Sequence, residues 1–177
     1  MATQTLMTAE QFDDMNRAQD RDLEFIDGEV IEVASSAAEH NDVLGNLIVS
    51  VRPFVRVNRI GNAIPETDCA MGDERVRPDL SIFLAAKWEK VDRQKLPVDV
   101  IPDIIAEVAS RNDKVFELDR KIGLYLEYGV SEVWVLYPVR KHILVYSSPG
   151  VRELRNGDNL ESTLLPGWST PVAELFA

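Results

Sequence analysis

Two apolar segments, VRPDLSIFLA at residues 76–85 and PDIIAEVAS at residues 102–110, each carry an acidic residue where a strand interior is expected. Asp79 directly precedes the apolar run LSIF, and Glu107 lies inside the run IIAEV. The second segment predicts a buried strand because apolar residues occur on both of its faces. An isolated ionised group is costly in an apolar setting unless it is paired or bound to a metal. The two carboxylates are therefore candidate functional residues.

A lysine joins them from the helix predicted at about residues 113–128. Lys121 stands three residues after Leu118 and four before Tyr125, which places it on the apolar stripe of that helix. A lysine in this position either extends its stem to the rim of the core or meets an anion inside. Since a short connection separates Glu107 from the helix, we expect the helix to pack back near that strand. The stripe comprises Leu118, Ile122, Tyr125 and Leu126.

A cluster of Asp79, Glu107 and Lys121 supports a specific chemistry. Two carboxylates and a backbone carbonyl, for which Val108 is the candidate, are hard oxygen ligands suited to Mg²⁺ or Mn²⁺. Such a metal polarises a phosphoryl oxygen and activates water, while the lysine orients that water or offsets developing charge. This is the chemistry of phosphodiester hydrolysis. A buried ion pair without metal is equally compatible with the pattern.

The N-terminal half predicts a hairpin and a long helix. DLEFIDGEVIEV at residues 22–33 contains the favoured two-residue turn Asp27-Gly28 between apolar positions. Helical spacing of apolar residues predicts a helix over about 38–57, which Pro53 should kink or end. The pair Thr8 and Gln11 is typical of a capping box at the start of a short first helix.

The remaining elements complete an α/β (α+β) pattern. Two strands are predicted around the turn GDER at 72–75, near 63–71 and 76–85, and two more at SEVWVLY and HILVYS. No internal repeat or linker is visible, so residues 1–177 predict a single domain of ordinary size.

Charge is unevenly distributed. The chain has 19 Lys and Arg against 30 Asp and Glu, a net charge of −11, which argues against indiscriminate binding to a polyanion. Residues 43–65 contain no acid but hold Arg52, Arg56 and Arg59. These arginines are candidate DNA contacts or simply the solvated face of a helix. We expect any DNA affinity to be weak and salt-sensitive.

Cysteine use and hydropathy indicate a cytoplasmic protein. A single Cys69 cannot form an internal disulfide, so a reducing compartment is the simpler interpretation. No signal-peptide pattern precedes residue 7, and no apolar run approaches the roughly 18 residues of a membrane helix.

These motifs resemble the Uma-type restriction endonuclease family, a branch of the PD-(D/E)XK nuclease superfamily. The similarity also includes MTAEQF at 7–12, LEFIDGEV at 23–30, DRKIGLYLEYGVSEVWVLYP at 119–138 and LLPGWSTPVAELF at 164–176, so it spans nearly the whole chain in order. It implies a restriction-endonuclease-like fold, in which a mixed central sheet is flanked by helices. It also implies that Asp79 is the motif aspartate and Glu107 the acidic member of the (D/E)XK element.

The resemblance assigns further residues and contains one departure. Ala109 stands where the superfamily's lysine is expected, and Lys121 matches a lysine supplied by the following helix. Glu24 and His40 also match family positions. Glu24 is either part of the metal site or a solvated or ion-paired strand residue. His40 either contacts phosphate or acts as a base, or it is a capping or polar surface residue of the helix. Tyr125 also matches a family position, but its place on the apolar stripe predicts a core residue.

The leading hypothesis is an Mg²⁺- or Mn²⁺-dependent endonuclease that hydrolyses DNA, with Asp79 and Glu107 on the metal and Lys121 assisting the water. The alternative is a catalytically silent member that binds nucleic acid or a protein partner, which Ala109 and the acidic charge favour. A homodimer is a further possibility that the sequence leaves open.

Overall fold

The computed structural model describes residues 7–17, 22–33, 36–110, 115–148 and 150–177. Five α-helices, one short 3₁₀ helix (Pro138–Arg140) and twelve strands lie in these ranges. The helices are α1 (Ala9–Arg17), α2 (Ala38–Val57), α3 (Ala85–Trp88), α4 (Val115–Glu127) and α5 (Val172–Leu175). The strands are β1 (Leu23–Ile26), β2 (Glu29–Glu32), β3 (Gly61–Pro65), β4 (Cys69–Met71), β5 (Glu74–Val76), β6 (Leu80–Leu84), β7 (Ile104–Val108), β8 (Glu132–Tyr137), β9 (His142–Ser147), β10 (Gly150–Leu154), β11 (Asn159–Glu161) and β12 (Ser169–Pro171).

A mixed six-stranded sheet forms the centre, in the order β10-β9-β8-β7-β6-β3. β7 and β8 are parallel, and each of the other neighbouring pairs is antiparallel. Parallel neighbours need a crossover connection, which α4 supplies between β7 and β8. The predicted mixed central sheet flanked by helices is therefore confirmed.

The two faces of the sheet pack against different helices. Alternate residues of a strand point to opposite faces, and β7 is buried along its whole length, as predicted. Ala106 belongs to the same apolar cluster as Leu47 of α2. Ile105 belongs to a second cluster with Ile122 of α4. The end of β7 consequently lies between α2 and α4.

The predicted N-terminal hairpin is confirmed. β1 and β2 pair across Asp27 and Gly28, whose φ angles of 50° and 79° are both left-handed, as a tight hairpin turn requires. The hairpin joins a second sheet in the order β2-β1-β5-β4. Arg120 links the hairpin to α4, because its guanidinium donates to the Asp27 carboxylate and the Ile26 carbonyl, both at 2.7 Å. This contact brings β1 beside α4.

The predicted strand at 76–85 is wrong in extent. β5 ends at Val76 and β6 begins at Leu80, and the two strands belong to different sheets. Pro78 has no N–H to donate to a ladder, and the backbone N–H of Arg77 donates to a side chain, Glu24 Oε1, at 2.8 Å. Asp79 therefore lies in a bend just before β6 instead of inside a strand.

Other predicted boundaries also shift. The strand expected near 63–71 is two strands, β3 and β4, and the turn between β4 and β5 is at Gly72 and Asp73. Pro53 does not end α2, which continues to Val57 because its buried face remains packed on the sheet. Leu126, predicted on the buried stripe, is 37% exposed near the end of α4.

The Thr8–Gln11 capping box is confirmed. Thr8 N–H donates to Gln11 Oε1 at 2.9 Å, and Gln11 N–H donates to Thr8 Oγ1 at 3.3 Å. Within the described ranges, the helices are all too short or too polar to cross a membrane.

Replacement of Gly61 tests the edge pairing of the central sheet. A Cβ at Gly61 would lie 1.9 Å from the backbone oxygen of Phe83, so Gly61→Ala forces β3 away from β6. We expect the free energy of unfolding to fall by roughly 1–3 kcal/mol, as for other overpacked sites. A Cβ added at Gly45 in α2 would lie more than 4 Å from every described residue outside that helix, so Gly45→Ala should instead stabilise by about 0.5–1 kcal/mol. Urea denaturation measures the free energy of unfolding of both variants. If Gly61→Ala and Gly45→Ala change it by the same amount, the close contact between Gly61 and Phe83 is not as described.

Candidate active site

A pocket of about 140 Å³ lies at the end of β7, where the hairpin, α2 and α4 approach the same edge of the sheet. It collects the residues that the sequence singled out for catalysis and metal binding. Its walls include Glu24, His40, Asp79, Glu107, Val108 and Lys121, together with Ile26, Ile31, Glu32, Val33, Ser36, Ser110, Glu117 and Leu118.

Asp79 is held by the strand beside it. β6 and β7 are antiparallel with Leu80 opposite Ala106, so Asp79, one residue earlier, comes level with the end of β7. Its Oδ2 accepts the backbone N–H of Val108 at 2.6 Å and lies 3.1 Å from His40 Nε2. Both contacts are to Oδ2 and neither is to Oδ1. Val108 thus supports Asp79 through its N–H, while the predicted role of its carbonyl as a metal ligand stays a prediction.

His40 lies in the first turn of α2 and is buried. The helix is preceded by Ala37, without a side-chain capping hydrogen bond. His40 is therefore not the surface cap that the sequence left as an alternative, and its imidazole faces the Asp79 carboxylate.

Lys121 reaches the anions inside the molecule. Its Nζ lies 2.9 Å from Glu24 Oε1 and 2.9 Å from Glu107 Oε1. The lysine side chain is 15% exposed, and those of Glu24 and Glu107 are 5% and 7% exposed. The sequence allowed the ammonium group to lie at the rim of the core or to meet an anion inside, and the structure shows the second. Glu24 is buried and ion-paired, so it is not the solvated strand residue that the sequence allowed, and its role at a metal site stays a prediction.

Tyr125 has a part in the cluster that its sequence position did not predict. It is fully buried, as a core residue should be, but its hydroxyl donates to Glu107 Oε1 at 2.5 Å. The signal was present in the spacing, because Tyr125 follows Lys121 by four residues and so lies on the same helix face. Glu107 Oε1 consequently receives both the lysine and the tyrosine of α4.

Burial and crowding of like charge shift the ionisation of this cluster. Desolvation, reinforced by the charges of Asp79 and Glu24 and opposed by Lys121, raises the pKa of Glu107 to about 7. Burial alone would lower the pKa of Lys121, but the pull of Glu107 and Glu24 outweighs it and raises that pKa. Burial and the nearby carboxylates raise the pKa of Tyr125. The lysine is therefore a permanent cation and the tyrosine a neutral donor near neutral pH.

The donor set fits a hard divalent cation. Among the described wall residues, five carry carboxylates (Glu24, Glu32, Asp79, Glu107 and Glu117) and one, Lys121, carries an ammonium group. Glu24 and Glu107 are buried and Asp79 is half-buried, so these three carboxylates outnumber the single Lys121 ammonium group among them. This local excess of negative charge favours a further cation, and carboxylate oxygens are the ligands that Mg²⁺ and Mn²⁺ prefer. Across the described part of the chain, no three His, Cys, Asp or Glu side chains converge closely enough to hold an ion by themselves. Two carboxylates with retained waters match the way in which proteins usually bind Mg²⁺.

The three predicted DNA-contacting arginines lie away from the pocket. Arg52 follows His40 by twelve residues on α2, which corresponds to about 18 Å along the helix axis. Arg56 and Arg59 lie farther on and are exposed. The structure therefore separates these arginines from the carboxylate cluster by most of the length of α2.

Comparisons with known proteins agree with this architecture. The family profile named Uma2, "Putative restriction endonuclease", matches residues 9–173. Among solved structures, a "putative nuclease belonging to DUF820" from Anabaena variabilis superimposes with a TM-score of 0.82 at 18% sequence identity, over 96% of this chain and 97% of that one. Comparison with curated proteins gives no match.

Removal of the buried lysine charge should destabilise the protein. Lys121→Met leaves Glu24 and Glu107 without their shared cation, and losing one partner of a buried ion pair costs roughly 3–5 kcal/mol. The loss should be smaller at pH 6 than at pH 8, because protonation of a carboxyl relieves the uncompensated charge. The double variant Lys121→Met/Glu24→Gln should recover part of the lost stability, because it removes one of the two uncompensated charges.

Urea denaturation at both pH values measures these changes. Lys90→Met is the matched control, because Lys90 is exposed and its replacement should change stability by no more than about 0.5 kcal/mol. If Lys121→Met is as stable as Lys90→Met at pH 8, the buried charge cluster is not as described.

Proposed function

The chain belongs to the Uma2 family, "Putative restriction endonuclease", and on that premise we propose that it is a metal-dependent endonuclease that hydrolyses DNA phosphodiester bonds. The observation that carries the proposal is the convergence of Asp79, Glu107 and Lys121 in one buried, acidic pocket. The residues stand apart in sequence, and each is supported by a specific neighbour. Such a cluster of charges in a cleft is characteristic of catalytic sites.

In this proposal Asp79 and Glu107 hold Mg²⁺ or Mn²⁺, with the Val108 carbonyl as a further candidate ligand. When bound, a divalent cation polarises a phosphoryl oxygen and makes water a better nucleophile. The acidic pocket itself explains a metal requirement, because its carboxylates would otherwise repel the phosphate of the substrate.

Lys121 then acts as a cation and not as a base. Its raised pKa keeps it protonated, so it can donate to the attacking water or offset the charge that develops on the phosphate. Glu24 fixes the other side of the ammonium group at 2.9 Å. This arrangement supports the view that Lys121 replaces the lysine absent at Ala109.

His40 and Tyr125 position the two carboxylates. His40 Nε2 faces Asp79 Oδ2, and the Tyr125 hydroxyl donates to Glu107 Oε1. Each contact restricts the rotation of a carboxylate and so directs its remaining lone pairs. Preorganisation of this kind lowers the cost of binding a cation in the required geometry.

DNA binding is proposed to be weak and assisted by the far end of α2. Arg56 follows His40 by sixteen residues, or about 24 Å along the helix axis, and a duplex rises about 3.4 Å per base pair. A duplex lying along α2 could therefore meet Arg52, Arg56 and Arg59 several base pairs from the pocket. A homodimer that cuts both strands stays a prediction.

A cleavage assay tests the proposed activity. Supercoiled, single-stranded and branched DNA are incubated with Mg²⁺ or Mn²⁺, and with chelator as the metal-free condition. Asp79→Asn, Glu107→Gln and Lys121→Met should each lower the cleavage rate at least about 100-fold, because the first two remove proposed metal ligands and the third removes the cation that offsets charge on the phosphate. Glu174→Gln is the control, since Glu174 is exposed on α5 and does not line the pocket.

The outcome separates the two hypotheses that the sequence raised. Equal residual cleavage by the wild type and all three variants would mean that the pocket does not perform the reaction. The silent-scaffold alternative predicts that outcome, together with DNA binding that survives Glu107→Gln.

Metal affinity should depend on pH through Glu107. Its carboxyl, with a pKa raised to about 7, is mostly protonated at pH 6 and mostly ionised at pH 8, and only the ionised form binds metal. We expect Mn²⁺ affinity, measured by titration calorimetry, to fall roughly tenfold from pH 8 to pH 6. Glu107→Gln should bind weakly with little pH dependence. An affinity that is constant over this range in the wild type would contradict the assignment of Glu107 as a ligand.

Salt dependence tests the arginine contacts. The double variant Arg56→Ala/Arg59→Ala should weaken DNA binding and reduce the slope of log affinity against log salt by up to about 2, since each phosphate contact contributes about one. Arg17→Ala, which replaces an exposed side chain at the end of α1, should leave the slope unchanged. Fluorescence anisotropy at several salt concentrations provides the measurement. An unchanged slope in the double variant would exclude these arginines as phosphate contacts.

A further inference from the structure

A second cavity, of about 370 Å³, adjoins the candidate active site. It lies on the α4 side of the central sheet, beyond the ends of β7 and β8. Ser110 and Leu118 line both cavities, so a ligand group in one would stand next to a group in the other. Its volume is in the range of pockets that bind small organic ligands.

Two tyrosine rings form part of the wall of this cavity and make it aromatic. Tyr137 and Tyr146 line it together with Ile122. They share a face of the sheet, because Tyr146 pairs with Val133, which lies four residues before Tyr137 on the same strand. The Tyr137 ring stacks on His142 with a centroid distance of 4.7 Å and an angle of 5°. This stacking fixes the orientation of the Tyr137 ring, so the ring is a preorganised aromatic surface for a ligand.

Polar groups occupy the rim of the cavity. Asp119 and Arg140 line it and are exposed. Burial, together with the Asp119 charge, raises the pKa of both tyrosines, so their hydroxyls stay protonated donors. The cavity therefore combines apolar aromatic walls with hydrogen-bond donors, an acceptor and one guanidinium group. A flat heterocycle with a polar edge, attached to a phosphate, complements that combination.

We propose that this cavity receives an unpaired nucleobase of the substrate strand, next to the phosphate that the candidate active site would cleave. The inference rests on the proposed nuclease function and narrows its substrate to DNA with an unpaired base, such as a single strand, a flap or a frayed end. A base inside a duplex is stacked and paired, and it cannot enter a side pocket without leaving the helix. Aromatic side chains bind bases of any sequence by stacking, so little sequence preference is expected.

Binding of short single strands tests the proposal without requiring cleavage. One strand carries the fluorescent base 2-aminopurine at its centre, and a matched strand has an abasic site there. Binding is measured with Ca²⁺, which also takes oxygen ligands, and strand integrity is checked on a gel. We expect quenching of the 2-aminopurine on binding, and an affinity roughly tenfold higher for the base-containing strand, the effect of one stacked base.

Variants locate the effect. Tyr137→Leu should abolish the preference for the base-containing strand, while Tyr137→Phe, which keeps the ring, should retain it. Val151→Ala, at an exposed position on β10, is the control. If the wild type binds both strands equally, or if Tyr137→Leu keeps the preference, the proposal is wrong.

Photo-crosslinking covers the case in which Tyr137→Leu does not fold. A wild-type complex with a strand containing 4-thiothymidine should yield a crosslinked peptide that includes Tyr137 or Tyr146, and crosslinks found only elsewhere would overturn the proposal. Base-dependent binding without any cleavage would refute the proposed hydrolysis and leave the base pocket standing. Cleavage without base dependence would refute the base pocket alone.

Discussion

The Lys121 ammonium group between Glu24 and Glu107 is the contact on which the rest of the structure depends. It joins three separate elements, because Glu24 comes from the hairpin, Glu107 from the central sheet and Lys121 from the crossover helix. Each charge would be costly to bury alone. The ion pairs therefore require hairpin, sheet and helix to assemble together, and the Arg120 contacts to the hairpin turn reinforce the same junction.

This junction also leaves the pocket short of positive charge. One lysine pairs with two buried carboxylates, and Asp79 adds a third, half-buried carboxylate that accepts a backbone N–H and faces His40. Burial raises the pKa of Glu107, and the charges of Asp79 and Glu24 raise it further. A divalent cation would relieve this shortage of positive charge and at the same time let a phosphate approach. Structural stability and the proposed catalysis thus depend on the same few side chains.

The sequence predicted those parts of the fold that local chemistry determines. The turn at Asp27-Gly28 requires left-handed backbone, and the helix over 38–57 follows its apolar spacing. For a lysine on an apolar stripe the sequence left two outcomes, the rim of the core or an anion inside, and the structure shows the second. What it could not predict depends on contacts between distant segments. The break before Asp79 follows from Arg77 N–H bonding to Glu24, 53 positions away. The spacing places Tyr125 on the same helix face as Lys121, but it does not show that the tyrosine hydroxyl donates to Glu107. The distance of Arg52 and Arg56 from the pocket could not be predicted either, because it depends on the direction in which α2 runs from the pocket.

Crystallographic location of Mn²⁺ by its anomalous signal tests the central claim most directly. We expect one strong peak in the pocket, within about 2.0–2.6 Å of a carboxylate oxygen of Asp79 and of Glu107, with Lys121 still bound to Glu24. The absence of a peak there at saturating Mn²⁺, or a peak only at surface carboxylates elsewhere, would show that the cluster is a structural ion pair and not a metal centre.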